Sequence, residues 1–174
     1  EIELRQTDSM LNLANLANID AAQIQVREAA SLELPAVETI ASASLTVDSA
    51  GAMLNLPNLT SANQSSICAD AGAIALLESL TDFTNGGLSA TSEIENPIVA
   101  PLWTNATGTD ISLAGGGTLD LSGITAIDDG GVSVRGATSA LAVPGIANVI
   151  DASFSLSDGA DLDLENLASL TDGA

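Results

Sequence analysis

Apolar residues in this chain alternate in short pairs, and the pairs return at an almost fixed interval. From Ser44 to Ser65 the pattern is Leu45-x-Val47, then Leu54-x-Leu56, then Leu59 and Ala62 at steps of three. The template recurs without a break. Its leading apolar residue falls at Ile2, Ile24, Leu45, Ile67, Leu88, Ile111, Val132 and Phe154, at spacings of 22, 21, 22, 21, 23, 21 and 22 residues. Alternation with a period of two predicts a strand with one face inward. Repetition at this longer period predicts a solenoid, in which each unit buries its apolar positions only against its neighbours.

The expected fold is therefore all-β: a single-stack parallel β-solenoid (β-helix) of eight coils of 21–23 residues, with three short strands per coil. One solenoid is expected to occupy residues 1–174, with coils beginning near 1, 23, 44, 66, 87, 110, 132 and 153. Right-handed winding follows from the general preference of parallel crossovers. The step from Leu56 to Leu59 marks a corner, and Pro35, Pro57, Pro101 and Pro144 stand at that place, where no ladder needs their missing N–H. An amphipathic helix over segments such as Met53 to Leu59 is the competing reading. Gly and Pro recurring within the coils, and alternation kept in step through all eight, argue against it.

Composition narrows the picture. The chain is 46% hydrophobic but only 2% aromatic, which suits a narrow interior of stacked Leu, Ile, Val and Ala. That much apolar material excludes a disordered chain. No run of eighteen apolar residues occurs, so membrane insertion is not expected, and the start does not read as a signal peptide. Because Glu1 is not an initiator Met, a mature or excised piece is expected. Net charge is −20, from 23 acids against three arginines, with no Lys and no His. Such a surface repels phosphate backbones, so no nucleic-acid partner is expected. The missing His and Lys remove most triad, Schiff-base and zinc chemistry. Parallel β-helices host polysaccharide lyases and hydrolases, and Asp161 with Asp163, or Asp128 with Asp129, would be their carboxylate pairs here. Asp is common throughout, however, and Phe83, Trp103 and Phe154 all fall at inward positions, so no enzyme is expected. The single Cys68 forbids an internal disulfide.

The phrase Leu56–Ala62, LPNLTSA, with its relatives LESLTDF and LSGITAI, resembles the repeats of bacterial surface β-solenoids of the adhesin or fibre type. It is also similar to the receptor L domain, whose coils carry a like L-x-L-x-x-L-x-x-I rhythm. The resemblance implies an extracellular or cell-surface protein. The cysteine-rich and ligand-binding features of receptor L-domain proteins have no counterpart in these residues.

Outward positions supply the candidate sites. Beside the first strand lies a small, mostly hydroxylic column: Glu3, Gln25, Thr46, Cys68, Ser89, Ser112, Ser133 and Ser155. Cys68 in it is either a reactive, intermolecular thiol or an inert small residue. Arg5, Arg27 and Arg135 each stand three residues after a leading apolar residue, a position that holds Asp48 and Asp70 in coils three and four. Arg27 is thus expected to form an inter-coil ion pair with Asp48. On the second strand, Met53, Ile74, Leu76, Pro97 and Val99 would make an exposed apolar patch, the candidate partner interface. A local frame shift that turns Ile74 and Leu76 inward is the alternative. Asp128, Asp129, Asp151 and Asp172 fall at similar turn positions and are the calcium candidates, although no dense Asp-x-Asp-x-Asp-Gly motif is present; no other cofactor is expected.

Coils one and eight both fit the template, and a second copy placed after Ala174 would continue it in step. The expected function is a non-catalytic structural rod, a stalk, fibre or filament segment that continues a longer array or self-associates end to end or laterally. The alternative is an adhesin-type module that binds other surface proteins through the apolar patch.

Overall fold

The computed structural model describes residues 1–6, 11 and 13–172. The alternating pairs become strands, and strands of successive coils pair in parallel. The first strands are Ile2–Leu4, Gln23–Arg27, Ser44–Asp48, Ser66–Asp70, Gly87–Thr91, Asp110–Ala114, Gly131–Arg135 and Ser153–Ser157. They form one eight-stranded sheet in coil order. Its register pairs Ile2 with Ile24, Ile24 with Leu45, Leu45 with Ile67, and Ile67 with Leu88. The column continues through Ile111 and Val132 to Phe154. The protein is an all-β parallel solenoid of about eight turns. Among the described residues no helix is long and apolar enough to cross a membrane.

Inward side chains from successive coils lie over one another. Ile24, Leu45, Leu54, Leu56, Leu59 and Ile67 are fully buried. Burying each such aliphatic side chain contributes roughly 1.5–3 kcal/mol. Ser65, Ser92, Thr109 and Ser139 are buried as well. Each hydroxyl is satisfied: Ser65 donates to Asn63 O, Thr109 to Phe83 O and Ser139 to Arg135 O, while Ser92 Oγ accepts the Ile94 N–H. No polar group in this set is left to oppose the apolar stack.

Two kinds of corner let the chain turn without losing its ladder. After the second strand a tight turn brings Leu59 N to Leu56 O at 3.2 Å, with Pro57 pre-set for the first turn position. Side chains tie these corners from coil to coil: Asn58 donates to Pro35 O, Ser79 to Pro57 O and Asn166 to Pro144 O. Just beyond, Thr60, Thr81, Thr104 and Thr125 form a ladder in which each hydroxyl donates to a carbonyl of the coil before. The second corner precedes the first strand of each new coil. Ala21, Ser42, Gln64, Asn85, Gly108, Asp129 and Asp151 all have positive φ there. Each donates its N–H to a carbonyl of the next coil, as Ser42 does to Asn63 O at 2.9 Å. For residues other than glycine this conformation costs about 1–2 kcal/mol, which the retained ladder bond offsets.

Three strands per coil hold in coils two, three, four, seven and eight, but not throughout. The second-strand sheet runs through Ser31–Glu33, Met53–Asn55, Ile74–Leu76 and Ile98–Val99, then restarts at Thr118–Asp120, Ala140–Ala142 and Asp161–Asp163. The third-strand sheet stops after Asp82–Thr84 and resumes at Asn148–Ile150, with only isolated bridges through Asn105 between. Coil five is the cause. From leading residue to leading residue it spans 23 residues, against 21 in the coil that follows. The surplus forms a bulge: Val99 pairs with Leu76 of coil four, while Glu95 bridges Thr118 of coil six. Within it Asn96, at positive φ, offers its side-chain oxygen to Asp120 N at 2.9 Å in place of a backbone carbonyl.

Candidate functional site

Coil four settles the frame of the second strand. Ala73, Ala75 and Leu77 fill the interior and are fully buried, so Ile74 and Leu76 point outward and remain partly exposed. The strand thus carries its larger aliphatics on the outside. Ring packing accounts for this. Phe83 and Trp103 occupy the interior of coils four and five with centroids 5.5 Å apart, and both are fully buried. Their layers are filled out by alanines: register stacks Ala69 on Val47, Ala90 on Ala69, and Ala75 on Leu54. Interior volume is conserved, and large inward residues beside the rings would overpack it.

The outward aliphatics stack along the rod axis. Met53 pairs with Ile74, and Leu76 lies between Asn55 and Val99. Pro97, expected in the same patch, is buried instead. It sits in the bulge of coil five with its carbonyl accepting the Ala75 N–H, so it contributes little surface. Leu102, which lies outside the expected patch, is 55% exposed at the coil-five corner beside Pro101. It follows a proline in the sequence and looks like one more corner residue; only the exposure of the corner distinguishes it. Away from coils three to five the same face is polar or small: Ser31 and Glu33, Thr118 and Asp120, Ala140 and Ala142, Asp161 and Asp163.

The bulge leaves a groove on each side. A groove of about 480 Å³ is lined by Ala71, Gly72, Ser92, Glu93, Ile94 and Gly115, among others. A second, of about 190 Å³, is lined by Asn96, Val99, Pro101, Asp120 and Ser122, among others. One oxygen of Asp120 accepts the Ser122 N–H at 2.9 Å.

The arginines lie along the far edge of the first sheet. Register places Arg27 opposite Asp48, with Nε 3.9 Å from Oδ2, and Nη1 lies 3.8 Å from Glu3 Oε1. Arg5 pairs with Glu3 at 2.6 Å, and Arg135 with Asp158 at 2.8 Å. Exposed pairs of this kind are each worth about 0–1 kcal/mol; those of Arg27 and Arg135 join neighbouring coils and so favour register, whereas Arg5–Glu3 lies within one coil.

Cys68 lies in the hydroxylic column between Thr46 and Ser89, half-buried, with Sγ donating to Asp70 Oδ2 at 3.0 Å. Burial first, and then the bond to Asp70, push its pKa up to about 11. The thiolate is the reactive form, so the folded chain should resist alkylation. At pH 8 iodoacetamide is expected to react roughly a hundredfold more slowly than with the urea-unfolded chain, accelerating as pH rises toward 11. Equal rates in the two states would show an ordinary thiol.

The turn acids are placed differently from one another. Asp129 and Asp151 occupy successive positions in the left-handed column, and Asp172 follows Thr171, which pairs with Ile150. Asp128 stands one residue earlier, where its carboxylate accepts the Ile150 N–H at 2.8 Å. Asp20 and Asp70 cap Ala41 and Thr91 in the same way. Among the described residues no three acidic, Cys or His side chains converge on a point where a metal ion could sit.

Comparison with protein-family models, with curated proteins and with solved structures finds no match for this chain.

Proposed function

We propose that this chain is a non-catalytic structural rod, a stalk, fibre or filament segment of an extracellular or cell-surface protein, continued end to end by further coils or further copies. One observation supports this reading above the others: the first sheet is a single unbroken ladder through all eight coils, even where the other two sheets are interrupted. Backbone hydrogen bonds therefore run along the long axis from end to end. At about 4.8 Å per rung, eight rungs span roughly 34 Å between the first and last. A close-packed interior, aliphatic apart from Phe83 and Trp103, adds cohesion along the stack. Electron diffraction or high-resolution microscopy of the native material carrying this chain tests the idea. An axial rise near 4.8 Å in continuous rods is expected. Finding the chain only in isolated compact particles would overturn it.

The second reading, an adhesin-type binding module, is favoured by the outward position of Ile74 and Leu76, which stack with Met53 and Val99 on an otherwise polar or small face. Contiguous apolar surface bounded by polar residues commonly marks contact with another molecule. The two readings are compatible, since a rod can carry a binding face.

A further inference from the structure

We propose that the second-strand face of coils three to five docks a cationic, aliphatic-bearing peptide segment of another protein; this rests on the binding-module reading above. The centre of the face is apolar, with Met53, Ile74, Leu76 and Val99 partly exposed and stacked, and Leu102 exposed at the adjoining corner. Each groove beside the coil-five bulge sets one carboxylate against an apolar wall. Glu93 stands next to Ile94 in the larger, and Asp120 faces Val99 and Pro101 in the smaller. A lysine or arginine matches that pairing, because its methylene stem covers apolar surface while its head meets the acid. Further carboxylates border the patch: Glu33 is in register with Asn55, and Glu95 bridges Thr118.

Charge selects the occupant. A second copy of this chain carries the same net charge of −20 and no Lys. Its three arginines lie on the first-sheet edge in ion pairs with Glu3, Asp48 and Asp158, away from any patch that could meet this one. Lateral self-association through this face would bring like charges together, which costs binding energy. A partner with alternating basic and aliphatic side chains satisfies both the apolar centre and the acidic border.

The test uses a fluorescent peptide alternating lysine and leucine, titrated against the 174-residue chain by anisotropy at low and moderate salt. Saturable binding is expected, weakened about tenfold or more by Ile74→Ser with Leu76→Ser, and likewise by Glu93→Gln with Asp120→Asn. The amide at 120 keeps an oxygen for the Ser122 N–H, so this second variant preserves the local fold. Asp161→Asn with Asp163→Asn removes the same charge elsewhere on the same side of the rod and should leave affinity unchanged. If all three variants weaken binding alike, or if a lysine–glycine peptide binds as tightly, the attraction is diffuse and the proposal falls. Rod formation, read by microscopy, is independent of this result.

Discussion

Replacing Trp103 with alanine is expected to cost the fold about 3–5 kcal/mol, among the largest losses available to a single substitution in this chain. Trp103 is fully buried, packs against Phe83 with ring centroids 5.5 Å apart, and donates Nε1–H to Asn105 O at 2.6 Å. It stands in the inward column that also contains Leu59, Leu80 and Ile124. Coil five is where the second and third sheets are both interrupted, so side-chain packing must do there what laddering does elsewhere. Rung spacing is set by the unbroken first sheet, which keeps neighbouring coils from collapsing into the space left by the indole. The cavity term is therefore expected near the top of its range. Asn105 O also accepts the Phe83 N–H, so losing the indole leaves no carbonyl orphaned. Urea unfolding followed by circular dichroism measures the loss. Trp103→Leu, which restores the aliphatic column, should recover part of it. A Trp103→Ala variant within about 1 kcal/mol of the parent would show that the ring pair does not hold coil five together.

How much of this was legible beforehand depends on what each feature asks of a side chain. The first sheet needs only an apolar residue every 21–23 positions, and that signal survives substitution among Ile, Leu, Val and Phe; its register from Ile2 to Phe154 could be read directly. Coil four was harder. Its most visible alternation, Ile74-x-Leu76, lies on the outside, while the inward Ala73 and Ala75 look too small to be core. Their size makes sense only beside Phe83 and Trp103, a contact between different coils that local pattern does not reveal. The left-handed corner was hidden for a different reason. Ala21, Ser42, Gln64 and Asn85 occupy it where glycine would have announced it, because tertiary laddering overrides the local preference. The aliphatic face was readable once the frame of its neighbours was imposed. Its grooves, the burial of Pro97 and the exposure of Leu102 arise from the coil-five bulge, which the sequence signals only as surplus length.

Adjacent glycines offer the sharpest test of how tightly the rungs stack. Gly86 and Gly87 are neighbours in the chain, yet substitution by alanine should have opposite consequences. A Cβ on Gly86 would run into the Ser65 carbonyl oxygen and the Phe83 ring. Neither can yield easily: Ser65 O accepts the Gly87 N–H at 2.9 Å as part of the inter-coil ladder, and the Phe83 ring is wedged against Trp103. Overpacking of this kind costs about 1–3 kcal/mol. A Cβ on Gly87 meets nothing within 4 Å, because that position faces outward at the start of the first strand. Gly87→Ala removes the entropic penalty of glycine in a strand and should be neutral or stabilising by up to about 1 kcal/mol. The two variants should therefore move the thermal midpoint in opposite directions, or Gly86→Ala alone should lower it, by several degrees. Similar midpoints for both would mean that the rungs can separate to admit a methyl group, and that the close stacking on which the rod depends is softer than its hydrogen-bond geometry implies.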